Sequence, residues 1–328
     1  MNTHDDAVQA AFTQAAGAVN FLRRHLTSLV IGQQQVIDQV LAALLAGGHV
    51  LLEGVPGTGK TLLVRALAQG FSGEFNRIQF TPDLMPSDVT GSYWYNAKEQ
   101  SFELRRGPVF THLLLADEIN RAPAKTQAAL LQVMQEYNVT LDGHTHAVPR
   151  PFMVLATQNP IEQEGTYPLP EAQLDRFMFK TVIDYPELND EIRLVSAVTA
   201  TENNDLLSAN APNQALSPQH IARLQQMCAR ITTDAKVIDY AVRLVAATRH
   251  HHGLSVGAGP RAGIALVNGA RAMAFIGGKT FVTPDDIKTV WLPVMRHRVR
   301  LAVEMEMEGQ STDAVLNEIL TLTEAPRQ

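Results

Sequence analysis

One stretch of the chain carries the residue types that bind a chain of phosphates. Residues Gly54–Thr61 fit the pattern G-x-x-x-x-G-K-[ST]. Glycines let backbone N–H groups wrap around phosphate oxygens, and a helix beginning at Lys60 would add a favourable dipole. Lys60 would reach the β- and γ-phosphates, and the Thr61 hydroxyl would bind Mg²⁺. Phosphate contacts are predicted for Gly54, Pro56, Gly57, Thr58, Gly59, Lys60 and Thr61.

A pair of carboxylates follows a second apolar segment. Leu113–Ala116 is an apolar run of strand length, and Asp117 and Glu118 come directly after it. Beside a phosphate site, Asp117 would hold Mg²⁺ through its water shell, and Glu118 would polarise the attacking water. Alone, the pair would be interpreted as a solvated acidic turn. Downstream of Gly54–Thr61 we favour the catalytic interpretation, because passive nucleotide binding does not need a second carboxylate.

A third polar group follows the apolar segment Phe152–Ala156. The chain continues there as Thr157-Gln158-Asn159-Pro160. A polar side chain at the carboxyl edge of a parallel sheet faces the ligand crevice. We therefore expect Asn159 to bond the attacking water and the γ-phosphate. The alternative is a simple Asn-Pro turn.

These side chains need a scaffold, and the first half of the chain alternates short apolar segments with helical patterns. The predicted strands are His49–Glu53, Arg77–Phe80, Leu113–Ala116, Phe152–Ala156 and Phe177–Ile183. The predicted helices include Val8–Leu29, a second helix ending at Leu45, Lys60–Gln69 and Ala122–Glu136. Strands alternating with helices predict an α/β fold with a parallel sheet covered on both faces.

The second part of the chain has a different character. After Pro186 no strand pattern is recognised, and Ser217-Pro218 and Thr283-Pro284 each place a hydroxyl cap before a proline at the first helical position. We therefore predict an α/β nucleotide-binding domain over residues 1–185, with N-terminal helices. An all-helical domain is predicted over residues 186–328.

Composition excludes several classes of protein. The 328 residues are 45% hydrophobic, which is enough to bury the cores of about two domains. A formal net charge of −6 argues against broad nucleic-acid binding. Cys228 alone can form neither an intrachain disulfide nor a zinc framework, which favours a reducing, cytoplasmic location. No signal peptide and no integral membrane segment are predicted.

The motifs in this order resemble the AAA+ ATPases, and more narrowly the MoxR family. Besides Gly54–Thr61, the matching segments are Val30–Gln33, Phe80–Asp88, Gly107–Phe110, Leu115–Pro123, Ala156–Pro160, Leu169–Phe177 and Gly259–Ala262. Together they span most of the chain, which makes the combination more specific than the phosphate-binding loop alone. Gly259 stands where members of the family often carry serine, and this departure bears on loop stiffness more than on chemistry.

The resemblance implies a P-loop AAA+ fold followed by a helical lid, with ATP and Mg²⁺ as cofactors. Gly54–Thr61 would be the Walker A motif, with Lys60 in a catalytic role. Asp117 would be the Walker B metal ligand and Glu118 the catalytic glutamate. Asn159 would be the sensor 1 residue.

Four further positions receive roles from the resemblance. Arg176 matches the arginine finger, which reaches the γ-phosphate held by the neighbouring subunit. Arg261 matches the sensor 2 arginine of the lid, a catalytic and nucleotide-binding residue. Ile31 and Gly32 match the segment that contacts adenine. On this interpretation ATP binds between the α/β domain and the lid, and hydrolysis depends on a homo-oligomeric ring, usually a hexamer.

The resemblance also implies a biological task. The expected function is ATP hydrolysis coupled to chaperone-like remodelling of protein clients or to cofactor or metal insertion. A partner with a von Willebrand factor A domain is expected, and no nucleic acid. The alternatives are a magnesium-chelatase-like motor subunit, a nucleic-acid-directed motor or loader, and a nucleotide-switched scaffold with little turnover.

Three other segments are candidates for contacts. Gly91–Asn96 and Ser101–Arg105 are predicted to form a hairpin that matches an insertion of the family, and its aromatic residues Tyr93–Tyr95 either grip a partner or pack beneath the hairpin. Leu141–Val148 resembles a second hairpin before sensor 1. His250–His252 is expected to be solvated or core histidine and not a metal site, because no further ligands stand at metal spacing.

Overall fold

The computed structural model describes residues 3–55, 57–159, 166–201, 205–212 and 214–326, with side chains from residue 12 onward. Pro56, one of the predicted phosphate-binding residues, lies outside the described residues. Within the described ranges, no helix combines the length and the apolar character that a membrane crossing requires.

Helices account for about half of the described residues. They are α1 Thr3–Leu29, α2 Gln34–Ala46, α3 Lys60–Gly70, α4 Pro86–Thr90, α5 Ala124–Glu136, α6 Glu171–Leu174, α7 Leu188–Thr199, α8 Leu206–Ala209, α9 Pro218–Ala229, α10 Ala235–Thr248, α11 Pro260–Ile276, α12 Pro284–Met295, α13 Val303–Met307 and α14 Thr312–Leu322. The strands are β1 Val50–Gly54, β2 Phe75–Gln79, β3 Gly91–Asn96, β4 Ser101–Arg106, β5 Leu113–Asp117, β6 Asn138–Leu141, β7 His144–Ala147, β8 Met153–Gln158, β9 Phe179–Ile183, β10 Leu254–Val256 and β11 Arg300–Leu301.

Five strands form one parallel sheet in the order β2-β5-β8-β1-β9. All five lie within a few residues of the predicted apolar segments, and the predicted α/β fold is confirmed. Because the strands are parallel, their carboxyl ends meet at one edge of the sheet. The phosphate-binding loop that follows β1 lies at this edge, and the acidic pair at the end of β5 lies there too.

Alternate residues of each strand enter two separate apolar cores. Leu52 and Leu155 face a core with α1, α2 and α3, and the lid helices α9–α12 join the same cluster. Leu51 and Val154 face the other side, where α5 covers the sheet. The uninterrupted apolar sequence of these strands is explained by this burial on both faces.

In the described part of the lid, the regular structure is helical except for one short pair of strands. β10 pairs with β11 antiparallel, with Leu254 opposite Leu301. The prediction of an all-helical second domain missed this pair, because strands of two and three residues show no periodicity. The predicted helix starts are found: Ser217 accepts a hydrogen bond from the His220 N–H, and Thr283 forms a capping box with Asp286.

Two antiparallel hairpins project from the α/β domain, and both lie where the sequence predicts hairpins. The β3–β4 hairpin carries three exposed aromatic side chains, Trp94, Tyr95 and Phe102. Tyr93 lies differently, since its hydroxyl is 3.3 Å from Nε2 of His146 on the β6–β7 hairpin. The aromatic residues of the first hairpin are therefore divided between contact with the second hairpin and exposure to solvent.

Candidate active site

The loop between β1 and α3 has the backbone that a phosphate cradle needs. Gly57 and Gly59 both have φ of 84°, in the left-handed region that favours glycine. Space remains around both positions, because a Cβ added at either residue would meet no atom of the described residues within 4 Å, the two chain neighbours aside. Thr58 donates its hydroxyl to the Val55 carbonyl at 2.9 Å, which braces the turn. An open loop of this shape at a helix N-terminus fits a bound phosphate chain.

Lys60 points back over this loop. Its Nζ donates to the Gly54 carbonyl at 2.5 Å. Gly54 is constrained on its other side, since a Cβ there would lie 2.4 Å from the Ile183 carbonyl oxygen of β9. The first and last parts of the loop are thus tied together through one backbone carbonyl, with the lysine ammonium held at the place where phosphate is predicted.

The acidic pair is organised by the hydroxyl of Thr157, at the end of β8. This hydroxyl donates to Asp117 Oδ1 at 2.6 Å and accepts from the Glu118 backbone N–H at 2.8 Å. Asp117 is buried, whereas Glu118 adopts φ 55° and ψ 51°. A left-handed conformation is uncommon for a residue other than glycine and is often found at functional sites. It turns Glu118 away from the path of β5 directly after the metal-ligand position.

Two residues of β2, which the sequence analysis did not single out, complete this part of the site. Arg77 Nη2 pairs with Asp117 Oδ2 at 2.6 Å. Gln79 Nε2 donates to Glu118 Oε2 at 2.8 Å, and Arg121 Nη1 reaches the same oxygen at 3.0 Å. Arg77 and Gln79 lie two positions apart and therefore share one face of the strand. The sequence signal that could have identified Arg77 and Gln79 is the placement of polar residues at alternate positions near the carboxyl end of a predicted strand.

Asn159 lies at the same edge of the sheet and is buried. Its strand, β8, runs between β5 and β1, with Glu53 opposite Gln158 in the register. The sheet order therefore brings the acidic pair, Asn159 and the phosphate-binding loop together on three adjacent strands. These are the side chains that the sequence places in one site.

The donor set fits Mg²⁺. A carboxylate of Asp117 and a hydroxyl of Thr61 are hard oxygen ligands, and Mg²⁺ in such sites is completed by water and substrate phosphates. In the described part of the chain, no group of three or more His, Cys, Asp or Glu side chains is arranged to hold a metal. The two protein ligands therefore suit an ion that arrives with a nucleotide.

The predicted adenine segment lies beside β9. Gly32 has φ of 80°, and a Cβ there would lie 3.0 Å from Pro186 and from Asp190. A cavity of about 430 Å³ is lined by Gly32, Gln39, Val182, Tyr185 and further residues of this corner. The lining residues Val182 and Asp184 flank Ile183, which pairs with Gly54 at the start of the phosphate-binding loop, although no residue of that loop is among those that line the cavity. Its position suits a base attached to phosphates in that loop.

The two predicted arginines lie elsewhere. Arg176 donates from Nη1 to the Leu131 carbonyl of α5 at 2.8 Å, and its Nε has no partner among the described residues. Arg261, 60% exposed, has Nη1 3.5 Å from Asp175 Oδ2. Both arginines therefore lie close to the start of β9.

That start is at the edge of the sheet opposite the phosphate-binding loop. Phe179 pairs with Val50, whereas Ile183 pairs with Gly54, and four strand steps span about 13 Å. The structure does not bring Arg261 to the nucleotide site of its own chain. The resemblance implied that ATP binds between the α/β domain and the lid, with Arg261 among its contacts. The structure differs for Arg261, because Asp175 holds the beginning of α11 at the amino edge of the sheet.

The comparisons with known proteins agree with this architecture. Residues 49–179 match the family described as "ATPase family associated with various cellular activities (AAA)", and residues 246–319 match the AAA lid domain. The chain is 38% identical to a candidate ATPase from Cytophaga hutchinsonii whose crystal structure superposes with a TM-score of 0.90, covering 99% of this chain and 100% of that one.

Curated relatives align over nearly the whole length. Chaperone MoxR1 of Mycobacterium tuberculosis is 42% identical over 91% of this chain and 80% of its own. YeaC of Bacillus subtilis, an uncharacterized protein, is 45% identical over 93% of both chains. Protein MoxR of Methylorubrum extorquens is 30% identical over 91% of this chain and 92% of its own. With this similarity and the geometry above, the chain belongs to the MoxR family of AAA+ ATPases.

Proposed function

We propose that the chain binds ATP with Mg²⁺ and hydrolyses it. The observation that carries this proposal is the convergence of Lys60, Asp117, Glu118 and Asn159 at the carboxyl edge of three adjacent strands. The glycine loop and Lys60 would bind the phosphates, while Thr61 and Asp117 would hold Mg²⁺. Bound there, Mg²⁺ supplies charge neutralisation for the transferred phosphoryl group.

Glu118 would orient and polarise the attacking water as a general base. Its backbone is fixed by Thr157, and its carboxylate is held by Gln79 and Arg121 on one oxygen, Oε2. Asn159 would bond the same water and the γ-phosphate. Ile31 and Gly32 would contact adenine at the cavity beside β9. Each of these residues binds or orients a group, and the proposed reaction needs no covalent intermediate.

We further propose that the site is completed by a second copy of the chain. Arg176 and Arg261 lie at the edge of the sheet opposite the phosphate loop of their own chain. Both would therefore serve the nucleotide of a neighbour, which makes hydrolysis depend on a ring, proposed to be hexameric. An arginine supplied by a neighbour raises the hydrolysis rate by about 10³–10⁵ in other nucleotidases.

The proposed work of the ring is chaperone-like remodelling of protein clients. A relative with 42% identity is named a chaperone. The exposed Trp94, Tyr95 and Phe102 on the β3–β4 hairpin offer an aromatic surface for an unfolded or extended polypeptide. A partner with a von Willebrand factor A domain and a cytoplasmic location, both expected from the sequence, belong to the same proposal.

Phosphate release and fluorescent-nucleotide binding test the ATPase proposal. Lys60→Ala should lose nucleotide binding, and Glu118→Gln should bind ATP but hydrolyse it at least a hundredfold more slowly. Lys125→Ala, which removes an exposed lysine of α5, should behave like the parent protein. Near-normal turnover by Glu118→Gln would remove Glu118 from the role of base.

Mixing experiments test the ring. Arg176→Ala should bind ATP and hydrolyse it poorly, and adding Lys60→Ala subunits with intact arginines should restore activity. Absence of rescue in mixtures that co-assemble would contradict the shared site. Stimulation by DNA but not by unfolded polypeptide would replace the chaperone assignment with the nucleic-acid motor. Capture of partners by Glu118→Gln with ATP would then identify the client.

A further inference from the structure

A buried arginine of the lid grips the segment that carries Arg176. Arg298 Nε pairs with Asp175 Oδ1 at 2.7 Å, and its Nη2 donates to the Phe177 carbonyl at 2.7 Å. Its Nη1 donates to the Met178 carbonyl at 3.1 Å. The guanidinium therefore holds the residues on both sides of Arg176 and leaves Arg176 itself out of the contact.

The neighbours of Arg298 in sequence strengthen this attachment. His297 is buried, and its Nε2 lies 3.0 Å from the Phe177 carbonyl. Arg296 donates from Nη1 to the Lys180 carbonyl at 3.2 Å. We name Arg296, His297 and Arg298 the lid clamp. Three consecutive side chains thus bind the backbone of β9 and the segment before it.

The cost of burial indicates that Arg298 has a specific task. Its side chain is 4% exposed, and burial lowers its pKa, while the Asp175 carboxylate opposes this change. Well-packed apolar residues often replace a buried ion pair without loss of stability. A guanidinium in this position instead fixes the orientation of the backbone that it binds, because the planar group bonds several acceptors in a set geometry.

We propose that Arg298 is a positioning residue that aims Arg176 at the nucleotide of the neighbouring subunit. This inference rests on the proposed ring and its shared site. Among the described residues, the contacts of Arg298 include none with its own phosphate-binding loop, which lies at the other edge of the sheet. It acts by holding Asp175 and the Phe177 carbonyl, so that the backbone of Arg176 has one orientation relative to the lid.

The attachment makes the lid and the finger move together. Arg298 follows α12, and Arg261 at the start of α11 reaches the same carboxylate, Asp175. Two lid helices are thereby tied to the segment of Arg176. A rotation of one subunit would carry its lid and its finger together and change the position of Arg176 at the next site, which links the state of one site to the rate at the neighbouring site.

Subunit mixing separates this role from general damage. Arg298→Met alone should keep ATP affinity within about twofold of the parent, because its own phosphate loop is untouched. Its turnover should fall about 10–100-fold, since misplacing a catalytic group by about 1 Å costs on the order of 10². Arg300→Met, which removes a nearby exposed arginine paired with Glu171, should leave turnover unchanged.

The mixtures give opposite results for the two partners. Arg298→Met subunits have a working phosphate loop but a poor finger, so Lys60→Ala subunits, which present a good finger, should restore turnover. Arg176→Ala subunits should not restore it, because neither partner then supplies a well-aimed finger. Equal rescue by both partners, or rescue by neither, would overturn the inference.

A third mixture separates this inference from the proposed function. Arg176→Ala with Lys60→Ala tests the shared site itself: failure there overturns the ring and this inference together. Success there with failure of Arg298→Met plus Lys60→Ala overturns the role of Arg298 alone. If Arg298→Met does not fold, Arg298→Lys keeps the charge beside Asp175 but loses the carbonyl contacts, and it should show the same pattern of rescue with a smaller loss.

Discussion

Lowering the pH should destabilise the folded protein through one buried histidine, His49. His49 precedes β1 and lies between two elements: the Val154 N–H donates to its Nδ1 at 3.0 Å, and its Nε2 lies 3.1 Å from the Met134 carbonyl. Because Nδ1 accepts, Nε2 must carry the proton and donate to Met134. This arrangement uses the neutral ring, and protonation of Nδ1 would break the bond to Val154.

The magnitude follows from the pKa. Burial lowers the pKa of His49 from 6.5 to about 4, and the bond to the Met134 carbonyl opposes this only in part. The neutral ring therefore stabilises the folded state fully above pH 6.5, where the unfolded chain is also neutral. Between pH 6.5 and 4, His49 is protonated in the unfolded chain but stays neutral in the folded chain. This difference lowers the free energy of unfolding by roughly 3 kcal/mol.

Denaturant unfolding at pH 7, 6, 5 and 4 tests this value. His297 has its pKa lowered well below the ordinary range by burial, with Arg298 contributing, and it adds its own pH dependence. The parent protein is therefore compared with His49→Gln, which keeps a donor and an acceptor but cannot titrate. The difference in unfolding free energy between the two should shrink by about 3 kcal/mol from pH 7 to pH 4. Parallel curves over this range would refute the reasoning.

Two further predictions concern the nucleotide site. Arg77 opposes a cation at Asp117, so Arg77→Met should tighten Mn²⁺ binding in the presence of ADP about fivefold, taking the pair at about 1 kcal/mol. Electron paramagnetic resonance measures this, the exposed Arg105→Met is the control, and weaker binding would contradict it. Gly54→Ala should lower the unfolding free energy by about 1–3 kcal/mol, because its Cβ would lie 2.4 Å from the Ile183 carbonyl. Gly17→Ala, where a Cβ meets nothing within 4 Å, should be neutral or stabilising in the same denaturation assay.

The sequence predicted the parts of the site that lie on consecutive strand ends. Gly54–Thr61 and the acidic pair are local motifs, and each follows an apolar run whose burial depends only on its own composition. Their mutual approach could be predicted as well, because parallel strands place their carboxyl ends together. Strand bounds differ by one or two residues: β1 is Val50–Gly54, where His49–Glu53 was predicted.

Contacts between distant segments were not predictable in this way. Gln79 and Glu118 are in contact because β2 pairs with β5, and the sequence of neither segment indicates which strand it pairs with. Arg261 was expected to be a nucleotide-binding residue of the lid, but which subunit's nucleotide it faces depends on where the lid attaches. Arg298, in the turn that follows α12, contributes to that attachment, and its sequence carries no local signal of its contact with Asp175.

The apolar core that α2 shares with the lid has a mechanical consequence. Leu41 of α2 and Leu266 of α11 belong to one buried cluster. Swinging the lid away from α2 would expose this surface to water, at about 25 cal/mol for each Å² of apolar area. Each chain of the proposed ring would therefore act as a stiff link. The flexible joint would then lie between one link and the next, and a stroke driven by ATP would be a change in the angle between whole subunits.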